Sequence, residues 1–178
     1  MKRYLVDGLI SGLAGGIASH IAVAALSRVE TGRADLAMHP VSHIAWGDAP
    51  ESHQGHTRHN WALGAALHHG ACFFWASFFE GLFGKRAERS TGAALTGGAT
   101  IAAAAYVTDY HVVPPRFTPG FEAHLSNRSL FLVYASLALG LAAGARLRGL
   151  YRHQVENRDE RNERRNAERG PDAVVTPE

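Results

Sequence analysis

Histidine is the residue type through which this sequence could do chemistry. The chain of 178 residues carries 11 histidines, and imidazole is a common protein ligand for zinc, copper and iron and an axial ligand of haem b. Five of them fall in one polar stretch, at spacings that would share helical faces: His39, His43, His53, His56 and His59. They are candidate metal ligands, although histidines spaced irregularly among Gly, Pro and Asp are equally typical of solvated side chains.

A second set of ionisable side chains belongs to apolar stretches. His20, His68 and His69 are embedded in long apolar runs, and Asp109 and His111 close another. Ionisable residues in such runs usually face the interior of a helix bundle or water. All five are therefore candidate ligands for a transition metal (Zn, Cu or Fe) or for haem b. The alternative is a neutral hydrogen bond between helices that fixes their packing.

The depth of these histidines predicts that they meet. At about 1.5 Å per residue along a helix, His20 lies at nearly the same level as His68 and His69. A lipid-facing imidazole would leave its ring nitrogens without partners, so we expect His20 and at least one of the pair to face inward and approach each other. The two neighbours lie about 100° apart around their helix, so they are not expected to point equally at the first helix. His68 is favoured, because His69 shares its face with Phe73 and the aromatic side is expected to contact lipid.

Other catalytic patterns are missing from the sequence. It has no GxxxxGK[ST] phosphate loop, no GxSxG nucleophile elbow and no HExxH or CxxC pair. The lone Cys72 cannot form an intrachain disulfide, and its apolar surroundings disfavour a thiolate. The net charge of +2 is too small to indicate nucleic-acid binding. The sequence therefore favours a non-enzymatic protein.

Four long runs with few charges must position these residues. Of the residues, 46% are apolar and 19% are charged, and apolar runs of about 18 or more residues are typical of membrane-spanning helices. The expected fold is an all-α integral membrane protein, a four-transmembrane-helix bundle with spans at about 8–28, 61–83, 91–113 and 129–146. The first run exceeds the apolar core of a signal peptide, which is about 7–15 residues, and is expected to be retained.

Two polar segments, a loop and a C-terminal tail, are expected to lie outside the four spans. Residues 29–60 are expected to form an outer loop, in which Pro40–Trp46 is one short helix. Trp61 and the tryptophan of that helix are expected at the membrane surface. Residues 151–178 are strongly polar and are expected to form a charged cytoplasmic tail, helical and then disordered, outside the membrane domain at 1–150.

The distribution of lysine and arginine predicts the orientation. With four spans both termini lie on one side, which carries 13 of the 18 Lys and Arg residues. The positive-inside rule assigns that side to the cytoplasm. At this end, Glu80 is expected to snorkel or to pair with Lys85 or Arg86.

Glycines spaced four residues apart predict close helix contacts. Gly8, Gly12 and Gly16 share a face of the first span, and Gly140 and Gly144 share a face of the fourth. Small residues at this spacing let helices approach in lipid, where packing drives association. We expect these faces to contact another helix, of the same chain, of a second copy in a homo-oligomer, or of a partner in a membrane complex.

Two stretches resemble a known group of proteins. They are His39-Pro-Val-Ser-His-Ile-Ala-Trp-Gly47 and Asp109-Tyr-His-Val-Val-Pro-Pro-Arg-Phe-Thr-Pro-Gly-Phe-Glu122. With the Gly-rich first span, they resemble small bacterial inner-membrane proteins to which no activity is assigned, and the resemblance covers most of residues 5–145. It implies a four-helix protein of the bacterial inner membrane. No functional residue follows from it.

The sequence leaves three functions open. The first is a non-enzymatic membrane module or accessory subunit with a histidine-rich site on the outer side. The second is a metal- or haem-binding protein, for metal handling or redox chemistry, that uses the intramembrane and loop histidines. The third is a sensor whose outer histidines titrate at about pH 6 and shift loop packing. Bound metal or a haem absorbance band would separate the second function from the others.

Overall fold

The computed structural model describes residues 2–47 and 58–169, and these are helical without any strand. The all-α prediction is therefore confirmed for this part of the protein. Its α-helices are α1 (Lys2–Thr31), α2 (His43–Trp46), α3 (Arg58–Leu82), α4 (Gly84–Arg89), α5 (Thr91–Val107) and α6 (Asn127–Arg169). The candidate ligands His53 and His56 lie outside the described residues.

Four long helices, α1, α3, α5 and α6, cover the four apolar runs. Two helical stretches, Arg3–Thr31 and Asn127–Asn166, are long and apolar enough to cross a membrane by length and composition. Helices α3 and α5 are not long or apolar enough by the same measure, each for its own physical reason. The 17 residues of α5 extend about 26 Å, less than the hydrocarbon thickness of about 30 Å. The hydropathy of α3 is reduced by its histidines and by Glu80.

Short turns connect the long helices. Pro40–Ser42 is a 3₁₀ turn that runs directly into α2, so the predicted short helix at Pro40–Trp46 is present in two geometries. A π turn at Thr108–Val112 extends α5, and Pro114 ends it because proline cannot continue the hydrogen-bond ladder. The connection to α6 contains two further 3₁₀ turns, Pro115–Phe117 and Phe121–Ala123.

Helix α1 is central to the packing, since it contacts both α3 and α6, and α6 in turn packs against α5. Glycine permits the closest of these approaches. A Cβ atom at Gly140 would lie 2.6 Å from the carbonyl oxygen of Ala14 and 2.6 Å from the Cα of Gly15, so the backbones of α6 and α1 touch. A Cβ atom at Gly12 would collide with the ring of Phe73 on α3.

The glycine faces identified in the sequence are used within the chain. Gly12 and Gly16 face α3, and Gly140 and Gly144 face α1, which confirms a close helix approach at these four positions. Around Gly8, no described atom lies within 4 Å of an added Cβ. A second copy or a partner subunit on these faces stays a prediction, and Gly8 is the member with room for one.

Large apolar side chains point outward on all four long helices. Many of them are about half exposed or more, among them Leu9, Leu13, Ile17, Phe74, Phe78, Leu95, Phe131 and Leu139. The interior combines a few large side chains with Ala, Gly and Ser, and three buried serines of α1 are at most 1% exposed: Ser11, Ser19 and Ser27.

Helix α6 continues far beyond the predicted fourth span. Its 43 residues extend about 65 Å. The predicted boundary between residues 150 and 151 falls inside this uninterrupted helix, so the change of composition there is not a change of secondary structure. Residues 153–166 are exposed, in keeping with the solvated, charged helix expected for the tail.

Candidate functional site

Three histidines from α1 and α3 form what we call the histidine cluster. Ring centroids are 5.9 Å apart for His20 and His68, 5.5 Å for His20 and His69, and 5.5 Å for His68 and His69. The prediction that His20 approaches at least one of the other two is therefore confirmed. The three side chains meet because α1 and α3 approach each other closely at Gly12 and Gly16.

His68 is the most buried member of the cluster, at 9% exposure, as the sequence predicts. Its Nε2 lies 3.0 Å from Oγ of Ser19. The Ser19 hydroxyl donates to the carbonyl oxygen of Gly15 at 2.8 Å. The Ser19 hydroxyl therefore links the His68 ring to the backbone of α1. Sγ of Cys72 lies 3.8 Å from the same nitrogen.

His69 is half-buried beside it. Its Nδ1 donates to the carbonyl oxygen of Ala65 at 3.0 Å, and its ring packs against α1 at Gly16. Both neighbouring histidines contact α1, His68 through Ser19 and His69 at Gly16, and His68 is the more deeply buried of the two. The glycines of α1 bring that helix so close to α3 that side chains from two adjacent rows contact it.

His20 completes the cluster next to Trp61, whose ring centroid lies 5.7 Å away. The Nδ1 atom of His20 is buried and has no hydrogen-bond partner among residues 2–47 and 58–169. A buried polar atom without a partner is energetically costly. It is therefore a candidate contact for a bound molecule.

A cavity of about 100 Å³ adjoins the histidine cluster. We call it the central cavity. Helices α1 and α3 contribute Ser19, His68 and Cys72 to it, and the π turn and α6 contribute Asp109 and Tyr134. The Tyr134 hydroxyl donates to Oδ2 of Asp109 at 2.6 Å. The other walls are mainly apolar and include Val41, Leu67, Trp75, Phe121 and Leu137. Apolar walls with a few convergent polar groups are typical of small-molecule sites.

His39 and His43 fix the loop that follows α1. Nε2 of His39 lies 3.2 Å from Oδ2 of Asp35, and His39 is only 5% exposed, so it is not a solvated side chain. Nδ1 of His43 donates to the carbonyl oxygen of Pro40 at 2.7 Å. The Arg33 guanidinium, hydrogen-bonded to Asp35, holds the pKa of that carboxyl well below its usual range, so Asp35 is charged at neutral pH.

The remaining candidate ligands in the described residues are exposed. His59 lies at the start of α3, and His111 stacks edge-on against Tyr106, with ring centroids 5.7 Å apart. Across the described ranges 2–47 and 58–169, no group of three or more His, Cys, Asp or Glu is arranged to hold a metal ion. Metal or haem binding therefore stays a prediction from the sequence.

A buried network of charges lies about 20 Å along α1 from the histidine cluster. Arg148 of α6 is 5% exposed, and its Nη2 donates to the two oxygens of Glu80 at 3.0 and 2.8 Å. Glu80 also accepts from the hydroxyl of Ser11 at 2.5 Å. The expectation that Glu80 pairs with Lys85 or Arg86 is wrong, because its side chain points into the bundle, where α6 supplies a closer partner.

Two further carboxylates complete this network. Nε of Arg148 donates to Oε1 of Glu88 at 2.9 Å, and its Nη1 donates to the backbone carbonyl of Asp7 at 3.0 Å. Arg152 hydrogen-bonds the carboxylates of both Asp7 and Glu88. The network thus ties α1, α3, α4 and α6 together at one end of the bundle, and removing one partner of such buried pairs is strongly destabilising.

Sequence reasoning did not assign roles to Ser19, Tyr134 or Arg148. Ser19 and Tyr134 are common residue types in apolar helices, and their spacing carries no signal for a shared cavity. Arg148 lies two residues beyond the predicted fourth span, where the sequence marks it only as one of several positive charges. A comparison of the chain with protein-family models, curated proteins and solved structures found no match.

Proposed function

We propose that the chain is a small integral membrane protein with four spans, in a bacterial inner membrane, with both termini in the cytoplasm. The large apolar side chains that face outward on α1, α3, α5 and α6 support this, because extensive exposed apolar surface suits lipid and is unfavourable in water. With its π turn, Thr91–Val112 extends about 33 Å, enough to cross a hydrocarbon core.

In that membrane the protein acts as a non-enzymatic module or accessory subunit that binds a small molecule in the central cavity, within the outer half of the bundle. The observation that carries this proposal is the make-up of the cavity, with apolar walls interrupted by His68 and by the Asp109–Tyr134 pair. Such walls suit a small, mainly apolar molecule that carries one hydrogen-bonding group.

Cys72 provides a chemical reporter inside the cavity. It is the only cysteine of the chain and lines the cavity wall. Methyl methanethiosulfonate, a small neutral reagent, should modify it slowly in detergent-solubilised protein. We expect phenol, an apolar ring with one hydroxyl group, to slow this modification further, as followed by intact-mass spectrometry.

Two neighbouring alanines give a matched pair of variants for this test. Ala105 is 1% exposed and lines the cavity, whereas Ala104 is exposed on the outside of α5. Ala105→Leu should fill the cavity and abolish protection by phenol, and Ala104→Leu should preserve it. Equal protection in both variants, or no protection in the unmodified chain, would contradict binding in the cavity.

A pH-responsive role is the second candidate, and the histidine cluster favours it. Its three imidazoles lie with ring centroids within 6 Å of one another. Two imidazolium charges at that distance repel each other. Protonation of more than one ring would therefore separate α1 from α3 and open the Ser19–His68 hydrogen bond.

A further inference from the structure

A basic pocket of about 360 Å³ lies at the other end of the bundle from the central cavity. Three helices form it: α1, α4 and α6. Four arginines line it, together with two glutamates and a histidine: Arg3, Arg89, Arg146, Arg152, Glu88, Glu156 and His153. Guanidinium groups from three helices therefore converge on one opening.

The carboxylates of the pocket do not neutralise these arginines. Arg148 and Arg152 both bond Oε1 of Glu88, and Arg3 lies 3.8 Å from its Oε2. The Glu88 carboxylate is thus shared among three guanidinium groups, of which Arg148 also pairs with Glu80 and Arg152 with Asp7. Arg146 donates to the backbone carbonyl of Glu88 rather than to a carboxylate. The pocket lining keeps an excess of positive charge.

Exposed apolar side chains border this pocket on α6. Leu147 is 66% exposed, Leu150 is 52% exposed and Tyr151 is 67% exposed. Leu150 also lines the pocket itself. A phospholipid has the matching arrangement, with a phosphate at the level of the headgroups and acyl chains directly below it. The pocket lies just beyond the predicted fourth span at 129–146, which is where headgroups are expected.

We propose that the basic pocket binds the headgroup phosphate of an anionic phospholipid in the cytoplasmic leaflet. The guanidinium groups of Arg3, Arg89 and Arg146 hold the phosphate, and an acyl chain lies along Leu147 and Leu150. Guanidinium groups bind phosphate through paired hydrogen bonds, and basic pockets on the cytoplasmic side of spans suit anionic headgroups. This inference rests on the proposed membrane insertion and orientation.

The test uses the full chain in dodecyl maltoside micelles, to which phosphatidylglycerol, phosphatidylcholine or inorganic phosphate is added. Phosphatidylglycerol should raise the melting temperature, and the other two should raise it less or not at all. The variant Arg3→Gln/Arg89→Gln alters two exposed side chains, so it should fold. Its affinity for phosphatidylglycerol should fall on the order of 30-fold.

Arg158→Gln/Arg161→Gln is the matched control, because it removes two exposed arginines of α6 that lie beyond the pocket. It should keep the affinity of the unmodified chain. Equal losses in the two double variants would overturn the inference, as would an equal stabilisation by phosphatidylcholine. If inorganic phosphate stabilises the protein as much as phosphatidylglycerol does, the lipid site is overturned and the pocket binds a soluble anion instead.

Carbonate extraction of membranes separates this inference from the proposed function. A chain released by carbonate is not embedded in the bilayer, and the proposed function would then fail. A chain that stays in the membrane but shows no preference for phosphatidylglycerol would overturn the lipid site alone.

Discussion

Among single residues, His20 and Trp61 offer a direct readout of the histidine cluster, since their rings lie 5.7 Å apart. An imidazolium ring quenches the fluorescence of a neighbouring indole. With Trp46 and Trp75 replaced by phenylalanine, we expect emission to fall on acidification, when His20 takes up a proton. His20→Phe should remove this change, whereas the exposed His111→Phe should leave it. Persistence of the titration in His20→Phe would assign it to another group.

The Arg148–Glu80 pair gives a second prediction for single residues. Arg148→Met should lower the free energy of unfolding by about 3–5 kcal/mol, because it leaves buried carboxylates without their partner. Glu80→Met/Arg148→Met should recover a large part of that loss, since the pair is then replaced by apolar groups. Unfolding in dodecyl sulfate measures both. A double variant as unstable as the single one would show that Arg148 acts mainly through its other contacts.

These two groups of residues differ in how far the sequence predicts them. His20, His68 and His69 are expensive in an apolar helix, and helix rise alone places them at one depth, so their meeting follows from local arithmetic. The partner of Glu80 cannot be predicted from local spacing in this way. Lys85 and Arg86 are close along the chain, but Arg148, 68 residues away, becomes the partner only once α6 is packed beside α1 and α3.

Among the helices, the glycines of α1 and α6 predict a graded series of stabilities. Gly8→Ala has open space and should be neutral or slightly stabilising, because alanine favours the helix by up to about 1 kcal/mol. Gly12→Ala meets the ring of Phe73 and comes within 3.1 Å of its backbone Cα, whereas Gly140→Ala comes within 2.6 Å of two backbone atoms of α1. We expect Gly12→Ala to lower the free energy of unfolding. Gly140→Ala should lower it most, on the order of 1–3 kcal/mol. Unfolding in dodecyl sulfate gives the order. Equal effects at the three positions would mean that these contacts do not set the packing.

The positions of the helices follow from the sequence better than their ends do. Long uncharged runs predict where α1, α3, α5 and α6 lie, because polar residues are costly in an apolar environment. The π turn at Thr108–Val112 has no such signal, since it depends on how α5 meets the loop before α6. The uninterrupted length of α6 was also missed, because composition changes after Arg146 while the backbone stays helical.

For the whole molecule, the proposed topology makes a prediction about sidedness. Reporter fusions after Arg152 should be active in the cytoplasm, and fusions after Gln54 or Thr118 should be active outside, because 13 of the 18 Lys and Arg residues lie on the side of the termini. Alkaline phosphatase and green fluorescent protein fusions provide the measurement. An exterior signal after Arg152 would remove one span, most simply α5, which is the shortest of the four.

The continuity of α6 has a mechanical consequence. Tyr134 lines the central cavity, Arg148 anchors the helix in the buried charge network, and the helix runs on to Arg169. The anchor divides this rod into arms of about 21 Å and about 32 Å. A rod that pivots at Arg148 is a lever of unequal arms, so a lateral shift of about 1 Å at Tyr134 swings the far end by about 1.5 Å in the opposite direction. A movement at the cavity would thus be enlarged, and reversed in direction, at the far end of α6.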